Sequence, residues 1–455
     1  MEEQVREPTE LTCPPSATHA GVAWSGTVAM LLGVVALKFW PTVQYIAYLG
    51  LIVMACAAIG VFVPDLLWQK VQRRTLVAPT APGNDLRSLT KFAGLLGAVG
   101  FVGLLYWLFP EYYRGEDFYG NYWAALRVVL PLWAVLALPY IYWVDRRMRE
   151  PCDALWQMGR LVILQWRGLN PRVIGQFLLG WVARGYFLPL MFTYLCNELS
   201  KMLQYDLHSL HGFKGIYDWT FFALYYIDLA MVSMTYLMSL RLTDTHVRST
   251  EPTMLGWVTA LICYQPFWSL IGGQYINYDD GARWDLWLQN VPWLYVLWGS
   301  AILALSAIYV WSTISFGGRF SNLTHRGIIT NGPYRYSKHP AYIAKNLSWW
   351  MISVPFIFTD DLAMTLRRCL LLGLLNLVYY LRAKTEERHL AIDPLYAQYA
   401  SWIDRHGLLR FVDRVPGLRA LTRWRPEFRT WTPPQNGVQP SESSAAHVAA
   451  GRRAY

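Results

Sequence analysis

The chain has 455 residues, 54% of them hydrophobic and only 15% charged. Soluble domains carry about 25% charged residues, so composition excludes an ordinary soluble domain and points to a polytopic membrane protein. The net charge of +10 suits loops facing anionic lipid; no arginine-rich stretch accompanies a nucleic-acid fold signature, so no nucleic-acid partner is expected.

The opening "MEEQVREPTE" is acidic and lacks the basic start of a cleaved signal peptide. Residues 1–21 are therefore expected to be a retained N-terminal segment. A spanning helix needs about 20 mostly apolar residues. Ten runs meet that measure, at 22–40, 43–67, 91–109, 122–144, 173–196, 217–240, 254–275, 291–315, 340–358 and 362–381. The first two are joined by "PT" alone, which predicts a tight helical hairpin. The fold class expected is all-α, a bundle of about ten transmembrane helices. The glycine-rich "AGLLGAVGFVG" (Ala93 to Gly103) lacks the spacing of a dinucleotide loop and reads as a close helix-packing face.

Loop charge alternates along this order. Lys70, Arg73, Arg74 and Arg87 follow the second run, and Arg146, Arg147, Arg149, Arg160, Arg167 and Arg172 follow the fourth. Arg319, Arg326, Arg335 and Lys338 follow the eighth, and Arg382, Lys384 and Arg388 follow the tenth. The opposite loops hold Glu111, Glu116 and Asp117, then Asp279, Asp280 and Asp285, then Asp360 and Asp361. The positive-inside rule then puts both termini and the loop before residue 340 in the cytoplasm. The six cysteines form no C-x-x-C pair and read as buried thiols. His208 and His211 lack further ligands, so no metal is expected. The tail from Pro433 is Pro/Ser-rich and expected to be disordered, after a basic stretch suited to anionic headgroups.

Chemistry-bearing residues gather near the C-terminal runs. Pro340 suits the first turn of a helix, which sets His339 at its mouth, with Lys338 and Arg335 nearby. Free N–H groups and cations there favour a carboxylate. Glu386 and Glu387 follow the tenth run, close to Arg382 and Arg388. Singly, these residues read equally as topology signals and helix-surface ion pairs. Together, a cationic pocket and a carboxylate pair at adjacent helix ends suit a zwitterion, and the aromatics suit a flat ring or sulfonium. The other ionisable residues of the second half are expected at helix ends, which argues against a transporter.

The stretch "GRFSNLTHRGIITNGPYRYSKHPAYIAKN" resembles the membrane methyltransferases typified by isoprenylcysteine carboxyl methyltransferase and the related phospholipid methyltransferases. Their pattern is matched in order by Phe320, Ser321, Thr330, Gly332, Tyr334, His339, Pro340 and Tyr342, then Glu386, Glu387, Tyr396 and Tyr399. The resemblance implies an S-adenosylmethionine pocket over the last helices and a bilayer-side entrance for a lipid-like or prenylated acceptor, methylated on a carboxyl, thiol or amine. It assigns Thr330, Tyr334, Lys338, His339, Pro340, Tyr342, Glu386 and Glu387 to the cofactor, and Arg382 and Glu387 to the reaction. Two positions depart from the pattern: Lys338 stands for an Arg, losing the planar fork, and Ala344 for a Gly. The ending "DRHGLLRF" also departs, which leaves Arg405 and Arg410 with little claim to a role.

The implied division is a cytoplasmic segment at 1–21, a bundle at 22–290, a methyltransferase-like unit at 291–412 and a tail at 413–455. Two other classes stay open. The length and the ten runs also resemble the membrane sterol reductases, which use NADPH, although their N-Y-x-G-D run is missing after His339-Pro340. A non-catalytic lipid-binding or transport protein is the third.

Overall fold

The computed structural model describes residues 12–39, 45–79, 84–109, 116–358 and 361–410. Glu111, Asp360, the first eleven residues, the "PT" link and the whole tail expectation lie outside the described residues. Among the described residues the structure is helical apart from a two-residue antiparallel ladder, in which β1 (Ser249–Thr250) pairs with β2 (Thr324–His325), and an isolated bridge between Leu76 and Met148.

Among the described residues eight helices are long and apolar enough to cross a membrane. They are α1 (Ala20–Phe39), α2 (Ile46–Leu67), α3 (Asp85–Leu108), α4 (Glu116–Asp145), α6 (Pro171–Gln204), α7 (Gly212–Leu237), α9 (Pro292–Ile314) and α11 (Leu362–Leu390). Between them lie the shorter α5 (Ala154–Val162), α8 (Met254–Leu261) and α10 (Pro340–Ser353), and α12 (Pro394–His406) follows. Two of the ten expected runs are thus not continuous spanning helices. The run 254–275 breaks after α8, at Pro266 and a wide helical turn over Trp268–Gly272. α10 has 14 residues, about 21 Å at 1.5 Å each, short of a ~30 Å hydrocarbon core. It stops at Val354, whose φ of +35° leaves the helical region.

Helix α1 packs against α2 as the expected hairpin, through small residues. A Cβ on Gly26 would meet the Val61 side chain, and one on Gly60 would meet Ser25 O and Ala29. That close approach is how helices associate where the surroundings are as apolar as the helices themselves. The central core joins α1, α2, α6 and α7 through Met30, Val53, Phe187, Leu195, Met231 and Met234, all fully buried. Outward-facing Leu366, Leu370, Leu374 and Leu377 make an exposed stripe along α11 at helical spacing. The glycine-rich α3 behaves in two halves. Gly94 and Gly97 touch α5, where Gly159 is pressed against Thr90, while Gly100 and Gly103 meet nothing.

The basic loops form one layer at one end of the bundle, held by acids of the same layer. Arg319 is fully buried, with Asp65 at 3.6 Å and Asp244 at 3.5 Å. Burial lowers the pKa of Arg319, and Asp244 and Asp65 oppose the shift. Lys91 bridges Asp145 at 2.9 Å and Asp153 at 3.3 Å, and Arg241 reaches Asp153 at 3.1 Å. The start of the described chain straps this layer. Ala17 N donates to Ile328 O at 2.8 Å, and Asn331 Nδ2 donates to Thr18 O at 2.6 Å. None of the six cysteines is paired; Cys196 is buried and Cys152 is exposed, so the expectation of buried thiols fails at Cys152.

Candidate functional site

One cavity opens between the loop layer and the ends of α8, α9, α10 and α11, with about 990 Å³ of free space, its open mouth included. The loop before α10 forms its outer wall. Gly332 carries φ +57°, and a Cβ there would collide with Ser315 Oγ, so the turn Gly332–Arg335 needs a glycine. That turn places the Tyr334 ring edge-on to Phe316, 5.3 Å between centroids. Tyr399 Oη donates to Tyr334 O at 2.6 Å and to Ser337 O at 3.2 Å, clamping the turn from α12. Burial pushes the phenols of Tyr334, Tyr396 and Tyr399 well above the usual range, so they stay neutral.

Pro340 takes the first helical position of α10 and His339 the cap position, as expected. The His339 ring stacks on Tyr342, 5.5 Å apart and 4° from parallel. Tyr342 Oη donates to Glu386 Oε2 at 2.9 Å. Glu386 Oε1 has no partner among the described residues, and Glu386 lines the cavity.

Its neighbour is placed differently. Glu387 is 1% exposed and held by three groups: His339 Nε2 at 3.1 Å, Lys384 Nζ at 3.0 Å and Lys338 Nζ at 3.6 Å. Lys338 reaches on to Asp404 Oδ1 at 3.0 Å. Glu387 is thus the centre of an ion-pair knot behind the wall that Lys338 and His339 present.

Arg382 enters the cavity from α11, flanked by the rings of Tyr342, Tyr264 and Tyr379 at 5.3 to 5.8 Å. Its Nη2 donates to Asn322 Oδ1 at 2.5 Å, and Asn322 Nδ2 donates to Tyr264 Oη at 3.2 Å. This is a buried guanidinium held by aromatic faces and an amide, with no carboxylate partner among the described residues. It is not paired with Glu386, one turn on.

Three residues named from sequence point elsewhere. Thr330 is buried, and its hydroxyl donates to Pro14 O at 2.9 Å, so it fastens the N-terminal strap. Arg335 is exposed and lies over Trp402, 6.0 Å from its ring. Arg388 reaches back to Glu251 at 3.5 Å.

The inner end of the cavity holds residues that sequence reading missed. Lys345, one turn and a half into α10, lies 5.3 Å from the ring centroids of Tyr309 and Trp349 and 5.8 Å from that of Tyr379. Asp228, nine residues before the end of α7, is buried. It accepts hydrogen bonds from Tyr309 Oη at 2.7 Å and Thr313 Oγ1 at 2.6 Å. The expectation that ionisable residues sit only at helix ends is corrected here. The signal was present as a lone acid in "YYIDLAMV", since a charge within an apolar run marks a functional position by default.

The unit that carries this cavity also resembles known proteins. Residues 296–392 match the isoprenylcysteine carboxyl methyltransferase (ICMT) family. No curated protein and no solved structure matches the chain. The ICMT match takes in α9 from its second turn, the loop, α10 and all of α11, hence Tyr309, Lys345, Arg382 and both glutamates. It supports a methyltransferase, and the eight apolar helices support an integral membrane protein with a lipid environment. Tyr236, Asp228, Glu251 and Tyr264 reach the same place from outside the ICMT segment.

Proposed function

We propose that this protein is an S-adenosylmethionine-dependent methyltransferase acting on a lipid-like or prenylated acceptor. The observation that carries the reading is the cavity lined mostly by the ICMT segment, which sets an unspent carboxylate oxygen on Glu386 against the cations Lys338 and Arg382 and several aromatic faces. Those groups fit a ligand that carries an ammonium, a carboxylate, a flat ring and a sulfonium. Glu386 takes the amino group, Lys338 and His339 take the carboxylate, Tyr334 and Tyr342 take flat faces, and Pro340 fixes the helix mouth. Arg382 faces the reacting end. Glu387 positions Lys338 and His339 through its ion pairs. Thr330 contributes only by holding the loop against the strap.

When bound, the cofactor supplies a methyl group already activated for in-line displacement. The chain then needs to orient an acceptor and keep water out. We place the cavity, its basic layer and both termini on the cytoplasmic side, by the positive-inside rule. We assign the chemistry to residues 291–412 and a scaffold and acceptor-chamber role to 22–290, with 254–291 and 340–361 crossing as broken passes.

Calorimetric titration of the purified protein tests the reading. S-adenosylmethionine binds and NADPH does not. The reverse result replaces the reading with a reductase, and binding of neither leaves a non-catalytic lipid-binding or transport protein.

A further inference from the structure

Three helices bring four polar groups to the inner end of the cavity: Asp228 from α7, Tyr309 and Thr313 from α9, and Lys345 from α10. Asp228 is buried in an apolar run and has no ion pair within reach among the described residues; its two partners are hydroxyls. Such a carboxylate is expensive where no water reaches it. A hydrogen bond from Thr313 alone, or an apolar residue, would join α7 to α9 at lower cost. Tyr309 spends its proton on Asp228, which leaves its oxygen lone pairs free toward the cavity it lines. Lys345 lines the same cavity and is caged by three rings; it acts on Asp228 through space, with no hydrogen bond or ion pair within 4 Å among the described residues.

A base held through a phenol and a free ammonium beside it serve one kind of acceptor. An amine would arrive protonated and meet the charge of Lys345. A carboxylate has no proton to lose, and would meet Asp228 as a like charge. A thiol beside an ammonium ionises without help from a carboxylate and would leave Asp228 idle. A hydroxyl uses both groups: it must lose a proton, and its oxygen gains negative charge as it attacks.

We propose, resting on the methyltransferase reading above, that the acceptor is a hydroxyl or phenol on an apolar body, and that Tyr309, Asp228 and Lys345 form its deprotonation site. The acceptor oxygen bonds the methyl carbon as the carbon–sulfur bond breaks and its electron pair stays on sulfur. The acceptor proton passes to the Tyr309 oxygen as the proton of Tyr309 moves to Asp228 Oδ2. The products are a methyl ether, a neutral thioether and a protonated Asp228. Lys345 keeps its charge and stabilises the oxygen during the transfer. Tyr309 and Lys345 touch the acceptor; Asp228 acts through Tyr309 and is a positioning residue.

The test uses the full-length protein in lipid nanodiscs and three probes with one C16 tail: a phenol, a carboxylic acid and a primary amine. With methyl-labelled S-adenosylmethionine, label enters the phenol alone and resists alkali, as an ether does. Label in the acid or the amine with the phenol untouched overturns the proposal, as does donor binding without transfer to any probe. Failure to bind the donor fails the methyltransferase reading instead, and this inference with it. Tyr309→Phe keeps the ring over Lys345. It lowers kcat by about 10²–10⁴-fold, the usual contribution of a general base, with the phenol KM unchanged. Asp228→Asn does the same, and Asp228→Glu restores part of the rate.

A second readout needs no donor. A long-chain nitrophenol, coloured only when ionised, ionises in the wild-type cavity about one pH unit or more below its value in lipid, because a cation lies beside it. In Lys345→Met the shift reverses, since burial alone opposes ionisation. An upward shift in the wild type overturns the proposal.

Discussion

Glu386 and Glu387 are neighbours in sequence, and the structure gives them different work. Replacing each by glutamine keeps volume and removes charge. Glu387→Gln takes the central anion from Lys338, Lys384 and His339. Breaking a buried pair from one side costs about 3–5 kcal/mol. Lys338 keeps Asp404 at 3.0 Å, and the Lys384 side chain retains 18% exposure, so the low end applies. We expect a loss of about 3 kcal/mol in reversible unfolding from mixed micelles, with donor affinity falling as the wall loosens. Glu386→Gln leaves the Tyr342 hydroxyl an amide oxygen to donate to, so stability falls by less than about 1 kcal/mol. Its free oxygen is the one assigned to the donor's ammonium. A hydrogen bond to a charged group contributes about 1.5–3 kcal/mol, so calorimetry should show donor affinity falling by about 10- to 150-fold. The assignment fails if Glu386→Gln binds the donor as the wild type does. It also fails if Glu387→Gln loses the donor at wild-type stability.

Three further outcomes follow from the loop layer. Thr330→Val removes the hydrogen bond to Pro14 and should cost about 1 kcal/mol of stability with donor affinity unchanged by calorimetry; a tenfold affinity loss would return Thr330 to the binding site. Arg319→Met strands Asp65 and should cost about 3–5 kcal/mol, and adding Asp65→Leu should recover most of it in the same unfolding assay. Burial lowers the pKa of His246 to about 3, with Arg241 adding to the shift and Asp244 opposing it. The unfolded chain therefore binds a proton below about pH 6.5 that the folded chain refuses. Stability is full above that pH and falls as pH drops toward 3, by up to an order of 4 kcal/mol. His246→Gln should remove that share of the acid slope, leaving the share of His325, whose pKa burial also lowers to about 3, in unfolding measured at a series of pH values.

Much of the site could be read from the sequence because it is local. Pro340 after His339 fixes a helix mouth by backbone chemistry alone, and the glycine at 332 answers a positive φ two residues before Tyr334. The breaks in the runs 254–275 and 340–358 were hidden because hydropathy counts apolar residues. It does not register that helices stop at Leu261 and at Ser353, before Val354, within apolar stretches. The tie from Thr330 to the N-terminal strap had no local sign. Its partner, Pro14, lies 316 positions away and meets it only when the strap closes over the loop.

The glutamate pair shows a different limit. Successive residues on a helix point about 100° apart, so one of two adjacent acids must face away when the other faces a cavity. Which one does so is set by how α11 docks on α10, where Tyr342 meets Glu386 and His339 meets Glu387. The inner end repeats the point across three helices. Asp228 and Lys345 were each missed although each is a charge in an apolar run, and their meaning depends on Tyr309, which is an unremarked aromatic until α9 turns it toward both. Local chemistry identified the residues able to act. Packing decided which of them share a cavity, and the choice between a carboxylate and a hydroxyl acceptor therefore rests on Asp228, a residue outside the ICMT segment altogether.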